Sequence, residues 1–148
     1  MTHGNNTLPK SERLHSKKLI DELFAGGHSK SMSAFPLRVV YMREAPRHDT
    51  VAHHDEPQDN AGNNPSQMLI SVPKRCFRRA NKRNLVKRQV REAYRKNKHI
   101  IDGLNTAMAF VWLDGKLYPT EEVEKRVVSL LTRMAEKAMH RQNAEESR

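Results

Sequence analysis

The sequence predicts a single domain that mixes helices and strands. A length of 148 residues is enough for one modest hydrophobic core and too short for two independent cores. Apolar residues recur at helical spacing in three segments and form strand-like runs in three others. The hydrophobic fraction of 36% is low and the charged fraction of 30% is high, so we expect part of the chain to lie outside the packed domain.

The first third of the chain predicts a flexible start, one helix and one strand. Residues 1–10 are polar, and no packed structure is expected there. Helical spacing begins with the apolar residues Leu19, Ile20, Leu23 and Phe24. Two glycines follow at positions 26 and 27, where glycine readily adopts the backbone conformation that ends a helix. Residues 35–42 contain two valines and a tyrosine in succession and predict a strand, and Pro36 suggests either an edge strand or a strand start.

Residues 43–67 predict a long mobile insertion between two strands, because Pro, Asp, Asn, Gln and His replace nearly all apolar residues there. His48, His53 and His54 lie in this insertion, and histidine is a common metal ligand. Adjacent histidines in a flexible loop seldom converge on one ion without a rigid frame. We therefore expect no metal site in the insertion.

Two strands and a helix are predicted around and after the most basic part of the chain. Residues 68–72 predict a strand that ends at Pro73, and residues 107–113 form a nearly continuous apolar run that is typical of a buried strand. Thr120 is a good N-cap, and acids follow it where the helix dipole favours them. The packing face of this last helix comprises Val123, Val127, Leu130, Leu131, Met134 and Ala138. The packed domain is expected to span residues 11–141, with residues 142–148 frayed.

The basic residues are concentrated in one window. Residues 74–98 hold twelve of the 27 Lys and Arg residues and one acid, Glu92, so this window carries essentially the whole net charge of +10. A local positive field of this size attracts polyanions. Seven of the twelve residues are arginines, and a guanidinium group binds two phosphate oxygens at once in a way that lysine cannot.

Residues 82–98 within this window predict a helix with two distinct faces. Val86, Val90, Ala93 and Tyr94 fall on one side, where they can pack on a sheet. The adjacent side carries a basic stripe that consists of Asn84, Lys87, Arg88, Arg91, Arg95 and Lys98. The stripe contains no acidic partner, so mutual repulsion makes it costly as a purely solvated face. An anionic partner would offset that cost.

Nucleic acid is the partner that this helix favours. A membrane surface would also attract the charge, but the helix lacks the bulky apolar face of an interfacial anchor. No apolar run approaches the roughly 20 residues that a membrane span needs, and the start of the chain lacks the apolar stretch of a signal peptide. The single cysteine, Cys76, excludes an internal disulfide framework and a cysteine-based zinc site. We expect a cytoplasmic protein with no membrane contact and no obligate protein partner.

Residues 71–95, SVPKRCFRRANKRNLVKRQVREAYR, carry a family resemblance. A strand ends in a basic pair, an Ala follows in a short linker, and residue pairs then occur at fixed offsets along a helix. These positions are Lys74 and Arg75, Ala80, Arg83 and Asn84, Lys87 and Arg88, Arg91 and Glu92, and Tyr94 and Arg95. The arrangement resembles the signature region of the bacterial ribonuclease P protein subunit. The flanking order of helices and strands agrees as well, so the resemblance spans most of residues 13–140.

The resemblance implies an α/β (α+β) fold with a roughly four-stranded sheet and three helices. In this fold the basic helix joins two parallel strands by a left-handed crossover, a handedness that is rare. The helix start at Arg83 and Asn84 would then be exposed, where backbone amides and side chains can meet an RNA.

By the same resemblance, the chain is the protein subunit of an endoribonuclease and binds ribonuclease P RNA and precursor tRNA. Cleavage is expected from that RNA and its bound Mg²⁺, since the sequence shows no paired carboxylates or metal-spaced histidines on a helix. The residues expected to contact RNA are Lys74, Arg75, Arg78, Arg79, Arg83, Asn84, Lys87, Arg88, Arg91 and Arg95.

The resemblance also implies a cleft between the first helix and the sheet that holds the 5′ leader of precursor tRNA. Its expected residues are Ile20, Phe24, Lys87 and Arg91. Bases of a single strand can stack on an exposed ring in such a cleft. The family usually has an aromatic residue where this chain has Ile20 and a basic residue where it has Leu85. Without the resemblance, Phe24 would most simply be a core residue.

Two other classes of function fit the charge pattern. A ribosomal-type RNA-binding protein would share the basic helix but would have no cleavage partner. A DNA-binding regulator would place that helix in a major groove. Stimulated cleavage of precursor tRNA by a ribonuclease P RNA separates the leading hypothesis from both.

Overall fold

The computed structural model describes residues 10–25, 27–43 and 66–146, and it describes side chains as far as His140. The helices are α1 Lys17–Ala25, α2 Ala80–Asn97 and α3 Thr120–Glu146, and the strands are β1 Lys30–Ala34, β2 Leu37–Arg43, β3 Gln67–Ser71 and β4 Thr106–Trp112. Short 3₁₀ helices precede α1 at Lys10–Glu12 and follow α2 at Lys98–Ile101. None of the described helices combines the length and the apolar character that a membrane span requires.

The four strands form one mixed sheet in the order β1-β2-β4-β3. β2 pairs antiparallel with both β1 and β4. β3 pairs parallel with β4, so α2 is the crossover that connects two parallel neighbours. The fold class, with a four-stranded sheet and three helices, is therefore confirmed.

α2 and α3 cover one face of the sheet and enclose the larger core. The central strand β4 directs Met108, Phe110 and Trp112 toward these helices, and all three side chains are buried. The ring of Phe110 meets Tyr94 of α2 edge to face, with ring centroids 6.1 Å apart. α3 contributes its predicted packing face, of which Val123, Val127, Leu130, Leu131 and Met134 are buried. The apolar run of residues 107–113 is thus confirmed as a buried strand.

α1 covers part of the opposite face over a smaller core. Leu23 is fully buried there and packs with Val40 and Met42 of β2. Under α1, β4 presents Ala107 and Ala109, and their small side chains leave room for the helix. Because helices lie on both of its faces, β4 is almost wholly shielded from solvent.

β1 is a strand that the sequence analysis did not predict. Its sequence KSMSA is mostly polar and buries only Met32, so it lacks the apolar run that marks a strand. Phe35 and Pro36, predicted as the beginning of one strand, instead form the turn between β1 and β2. Because β1 flanks β2, the latter is an interior strand. Pro36 therefore precedes a strand start, and its interpretation as an edge-strand residue is wrong.

The ends of several elements differ from the prediction. α3 extends to Glu146, past residue 141, at which we expected the packed domain to end. Arg43 and Gln67, predicted as the ends of the insertion, belong to β2 and β3. The predicted insertion otherwise falls on residues 44–65, which lie outside the described residues together with His48, His53 and His54. The flexible start also lies outside them, apart from Lys10.

The docking of α1 depends most on Leu23, which is the one residue that this helix buries fully. We predict that Leu23→Ala lowers the free energy of unfolding by about 2–5 kcal/mol, because it removes buried methyl groups and leaves a cavity. Urea unfolding measures this change. The matched control is Leu85→Ala on the exposed side of α2, which should alter stability by no more than about 0.5 kcal/mol. Equal losses in the two variants would contradict the packing described here.

Candidate nucleic-acid interface

α2 is fixed to the domain by one face. The buried residues of this helix are Val86, Gln89, Val90, Ala93 and Tyr94. The side-chain amide of Gln89 donates hydrogen bonds to the carbonyl of Tyr118 at 3.0 Å and to the hydroxyl of Thr120 at 3.2 Å. These contacts tie α2 to the start of α3. The rotation of α2 about its own axis is therefore set, and so is the direction in which its other face points.

The basic stripe lies on the side of α2 that points away from the core. Asn84, Arg88 and Arg91 are exposed, and at 100° per residue they fall within about 60° of one another. Lys87 is half-buried at the border of the packed face, and Arg95 is half-buried within the stripe. Leu85, which stands where the family usually has a basic residue, is exposed beside the stripe. The structure therefore brings the predicted helix residues together on one outer surface.

A basic loop connects β3 to α2. Its exposed members are Lys74, Arg75, Arg78 and Arg79. α2 begins at Ala80, so the expectation that Arg83 and Asn84 open the helix is wrong by about one turn. The loop therefore lies at the N-terminal end of α2, where the helix dipole adds positive potential to that of its side chains.

Arg83 has a structural role that the sequence analysis missed. Its guanidinium donates hydrogen bonds to the carbonyls of Phe77 and Arg78, both at 2.8 Å. The side chain therefore folds back onto the loop before α2, and it is only partly exposed. By holding that loop, Arg83 sets the position of the exposed residues Arg78 and Arg79.

Two basic residues of the stripe have acidic partners, which corrects the expectation that the stripe has none. Arg95 forms an ion pair with Glu92 one turn earlier, and its Nε donates to Glu92 Oε2 at 3.1 Å. This hydrogen bond lowers the pKa of Glu92 below its ordinary value. Lys98 pairs with Glu12 at 2.9 Å and so ties the end of α2 to the segment before α1. Arg88 and Arg91 have no such partner among the described residues.

The cleft residues of α1 have different environments. Phe24 is 52% exposed, so its alternative interpretation as a core residue is wrong. Ile20 is half-buried and packs against the smaller core, which leaves less of it available to a ligand. α1 and α2 cover opposite faces of the sheet. The structure does not place Phe24 on the same face as Lys87 and Arg91, so a strand that contacts all three would cross from one face of the sheet to the other.

An open row of side chains, which was not predicted from the sequence, crosses the sheet on the α1 face. Strand pairing aligns Ser33 with Arg38, Arg38 with Val111, and Val111 with Ser71. Ser33 and Arg38 are exposed, and Val111 and Ser71 are half-buried. The row ends at β3, whose chain continues into the basic loop. The alternation of side chains along β2 could have revealed this row. Arg38 lies two residues before Val40, so the two side chains point to the same face of the sheet.

Among residues 10–25, 27–43 and 66–146, no three His, Cys, Asp or Glu side chains lie close enough to hold a metal ion. Asp114 accepts a hydrogen bond from the hydroxyl of Tyr118 at 2.6 Å, and Glu92 is engaged by Arg95. Asp114 and Glu92 therefore each have a partner within the protein.

Comparison with known proteins identifies the family. The family model for ribonuclease P matches residues 8–135. The chain belongs to the ribonuclease P protein family. The ribonuclease P protein component of Porphyromonas gingivalis strain W83 is 40% identical over 134 residues, and the match covers 86% of either chain. The component from a second strain of the same species, ATCC 33277, is 38% identical with the same coverage.

Solved ribonuclease P proteins share the fold. The protein from Thermotoga maritima superposes with a TM-score of 0.60 at 21% identity, covering 82% of this chain and 96% of its own. A Staphylococcus aureus ribonuclease P protein mutant, described as defective in mRNA degradation activity, gives a TM-score of 0.62 at 17% identity. That match covers 86% of this chain and 90% of the other. Membership of the family implies a role in tRNA processing within an endoribonuclease complex.

The contacts of Arg83 generate a stability prediction. Arg83→Ala should lower the free energy of unfolding by about 1–3 kcal/mol, because two loop carbonyls lose a charged donor. Arg88→Ala is the matched control, and its effect should stay within about 0.5 kcal/mol because the side chain is exposed on the same helix. Urea unfolding of both variants makes the comparison. If Arg83→Ala were no more destabilising than Arg88→Ala, the guanidinium would not be holding the loop.

Proposed function

We propose that this chain binds the RNA of ribonuclease P together with the 5′ leader of precursor tRNA, and thereby promotes endonucleolytic maturation of the tRNA 5′ end. The observation that carries the proposal is the outward position of the basic stripe. The opposite face of α2 is buried, so the helix cannot turn Arg88 and Arg91 toward the protein. The cytoplasm is the setting we propose, in keeping with the single cysteine.

The basic loop and the stripe are suited to phosphates. Arg88 and Arg91 lie one turn apart on the helix surface, where neighbouring Cβ atoms are roughly 5–6 Å apart. Two cations at this spacing repel each other, and a phosphate backbone relieves the repulsion while releasing its own counterions. The basic loop extends the same positive surface beyond the N-terminal end of α2, so an RNA backbone can follow both.

The α1 face is suited to a single strand. Phe24 offers an exposed ring, and stacking on a ring tolerates any base. The open row adds the cation of Arg38 and two serine hydroxyls, Ser33 and Ser71. A strand that stacks on Phe24 and follows this row reaches the basic loop, and beyond it the stripe. This path connects the two sides of the sheet on which the cleft residues lie.

We propose that the chemistry of cleavage belongs to the RNA and its Mg²⁺. The described side chains supply no cluster of carboxylates that could bind the ion. What this chain contributes is positive charge at fixed positions and a surface for the leader, which position a substrate without reacting with it.

Reconstitution tests the proposal. The full-length chain is mixed with a bacterial ribonuclease P RNA at low Mg²⁺, where that RNA alone is slow, and cleavage of precursor tRNA is measured. We expect faster cleavage at the mature 5′ end. Binding to the RNA without any stimulation would instead favour a ribosomal-type binding protein. Tighter binding to duplex DNA than to that RNA would favour a DNA-binding regulator.

Salt dependence tests whether the stripe contacts phosphates. Arg88→Ala combined with Arg91→Ala should weaken binding to the RNA and reduce the slope of log K against log salt by about 0.7–0.9 per lost contact. Lys125→Ala is the control, because Lys125 is exposed on α3 rather than on α2, and its slope should match that of the unmodified chain. An unchanged slope in the double variant would show that the stripe does not touch phosphates.

Phe24→Ala tests the stacking surface. The variant should lose about 1–3 kcal/mol of affinity for precursor tRNA in the holoenzyme if one base stacks on the ring. Affinity for the same tRNA without its leader should be unchanged, and equilibrium binding to both substrates provides the comparison. An equal loss on the leaderless tRNA would place the effect on folding or assembly and would remove Phe24 from the leader site.

A further inference from the structure

A second basic site lies at the other end of the sheet. A cavity opens where β2 ends and where β1 and β4 begin, and the C-terminal half of α3 forms one of its walls. Its volume is about 80 Å³, several times the roughly 10–15 Å³ that one water molecule requires. The cavity is thus large enough for a small polyatomic group and open enough to admit one.

The cavity is separate from the surfaces described above. Tyr41 and Thr106 line it, and both belong to the face of the sheet that α2 and α3 cover. The open row lies on the other face and at the other end of the strands, since Arg38 is next to the turn at Pro36. The basic loop also follows the far end of β3. A ligand in the cavity would therefore not occupy the proposed RNA surface.

Four basic side chains surround the cavity: His28, Lys30, Arg43 and Lys137. Lys30 is aligned with Tyr41 in the β1–β2 pairing, and Arg43 follows Tyr41 by two residues, so all three point to the same face. Lys137 reaches the cavity from α3, one turn after Met134. Lys30, Arg43 and Lys137 therefore bring positive charge to one place from three different elements, and His28 adds an imidazole from the segment before β1.

No acid balances this charge within the part of the chain that the structure describes. The cavity lining contains no Asp or Glu there, and none of the four basic residues forms an ion pair with a described residue. All four side chains are exposed, and the like charges of the two lysines and the arginine around one cavity repel one another. A bound anion would relieve that repulsion, and phosphate suits Arg and Lys donors best.

The floor of the cavity is apolar and indicates what accompanies the phosphate. Leu104, Met134, Ala138 and the ring of Tyr41 line it. Inorganic phosphate would leave the apolar floor exposed to water, whereas a ligand with a planar or apolar part would cover it. A nucleotide has both parts, a phosphate for the rim and a base or sugar for the floor.

We propose that this cavity binds a phosphate-bearing nucleotide, with the phosphate among Lys30, Arg43 and Lys137. A free nucleotide and the 5′-phosphorylated end of an RNA present the same chemistry. The site is independent of the function proposed for α2, since it uses other residues on another part of the surface.

Binding of three probes to the full-length chain tests the site. The probes are inorganic phosphate, adenosine 5′-monophosphate and a 5′-phosphorylated RNA trinucleotide, each followed by backbone amide shifts in NMR spectra. We expect saturable shifts at Tyr41, Thr106 and Lys137 with the nucleotide and the trinucleotide. If the trinucleotide binds more tightly than adenosine 5′-monophosphate, the ligand is an RNA end. If the two bind with equal affinity, the ligand is a free nucleotide. Absence of saturation with all three probes would overturn the proposal.

Charge removal at the rim provides the matched variants. Lys30→Gln combined with Lys137→Gln should weaken nucleotide binding at least about tenfold, because two charged hydrogen-bond donors are lost. Lys116→Gln combined with Lys125→Gln removes the same charge from exposed positions elsewhere and should leave affinity unchanged. Circular dichroism confirms that both variants fold. Equal weakening in the two pairs, or equal binding of a trinucleotide that ends in a 5′-hydroxyl, would refute a phosphate site at this rim.

Discussion

The packing of α2 against the sheet and α3 is the constraint on which the rest of the structure depends. Five side chains of this helix are buried, and the amide of Gln89 anchors it to the start of α3. Because one face of the helix is fixed in this way, the opposite face must point to solvent. Arg88 and Arg91 are therefore held in solvent at one-turn spacing, and their repulsion is not relieved by any described acid. The apolar contacts that fix α2 thus keep these two arginines close together, and a polyanion can relieve their repulsion.

The two faces of the sheet have different uses because they are covered to different extents. α2 and α3 close one face over the larger core, whereas α1 is short and covers only part of the other. Small alanines of β4 lie under α1, and beyond it the row from Ser33 to Ser71 remains accessible. The parallel pairing of β3 with β4 then carries the chain from this open row into the basic loop and α2. The connection from β3 to α2 therefore joins the α1 face, which suits a single strand, to the basic loop and the stripe, which suit phosphates.

Much of this could be predicted from the sequence, because periodicity reports burial. The spacing of residues within a single helix or strand was enough to predict three features: the run of residues 107–113, the packing face of α3 and both faces of α2. The polar strand β1 could not be found in this way, since its position depends on pairing with β2 rather than on its own residues. The role of Arg83 depends on a side chain folding back to two carbonyls, which no spacing reveals. The ion pair of Arg95 with Glu92 was also missed, but it could have been predicted, because residues three apart on a helix are neighbours.

The most direct test of the central claim is chemical modification of arginines, read by mass spectrometry, in the free chain and in its complex with a ribonuclease P RNA. The account predicts that Arg75, Arg88 and Arg91 become protected when the RNA binds. Arg126 and Arg133, which contact backbone carbonyls at Phe35 and Ser33 beside the β1 edge, should react at the same rate in both states. Protection of the two α3 arginines with continued reaction of Arg88 and Arg91 would contradict it.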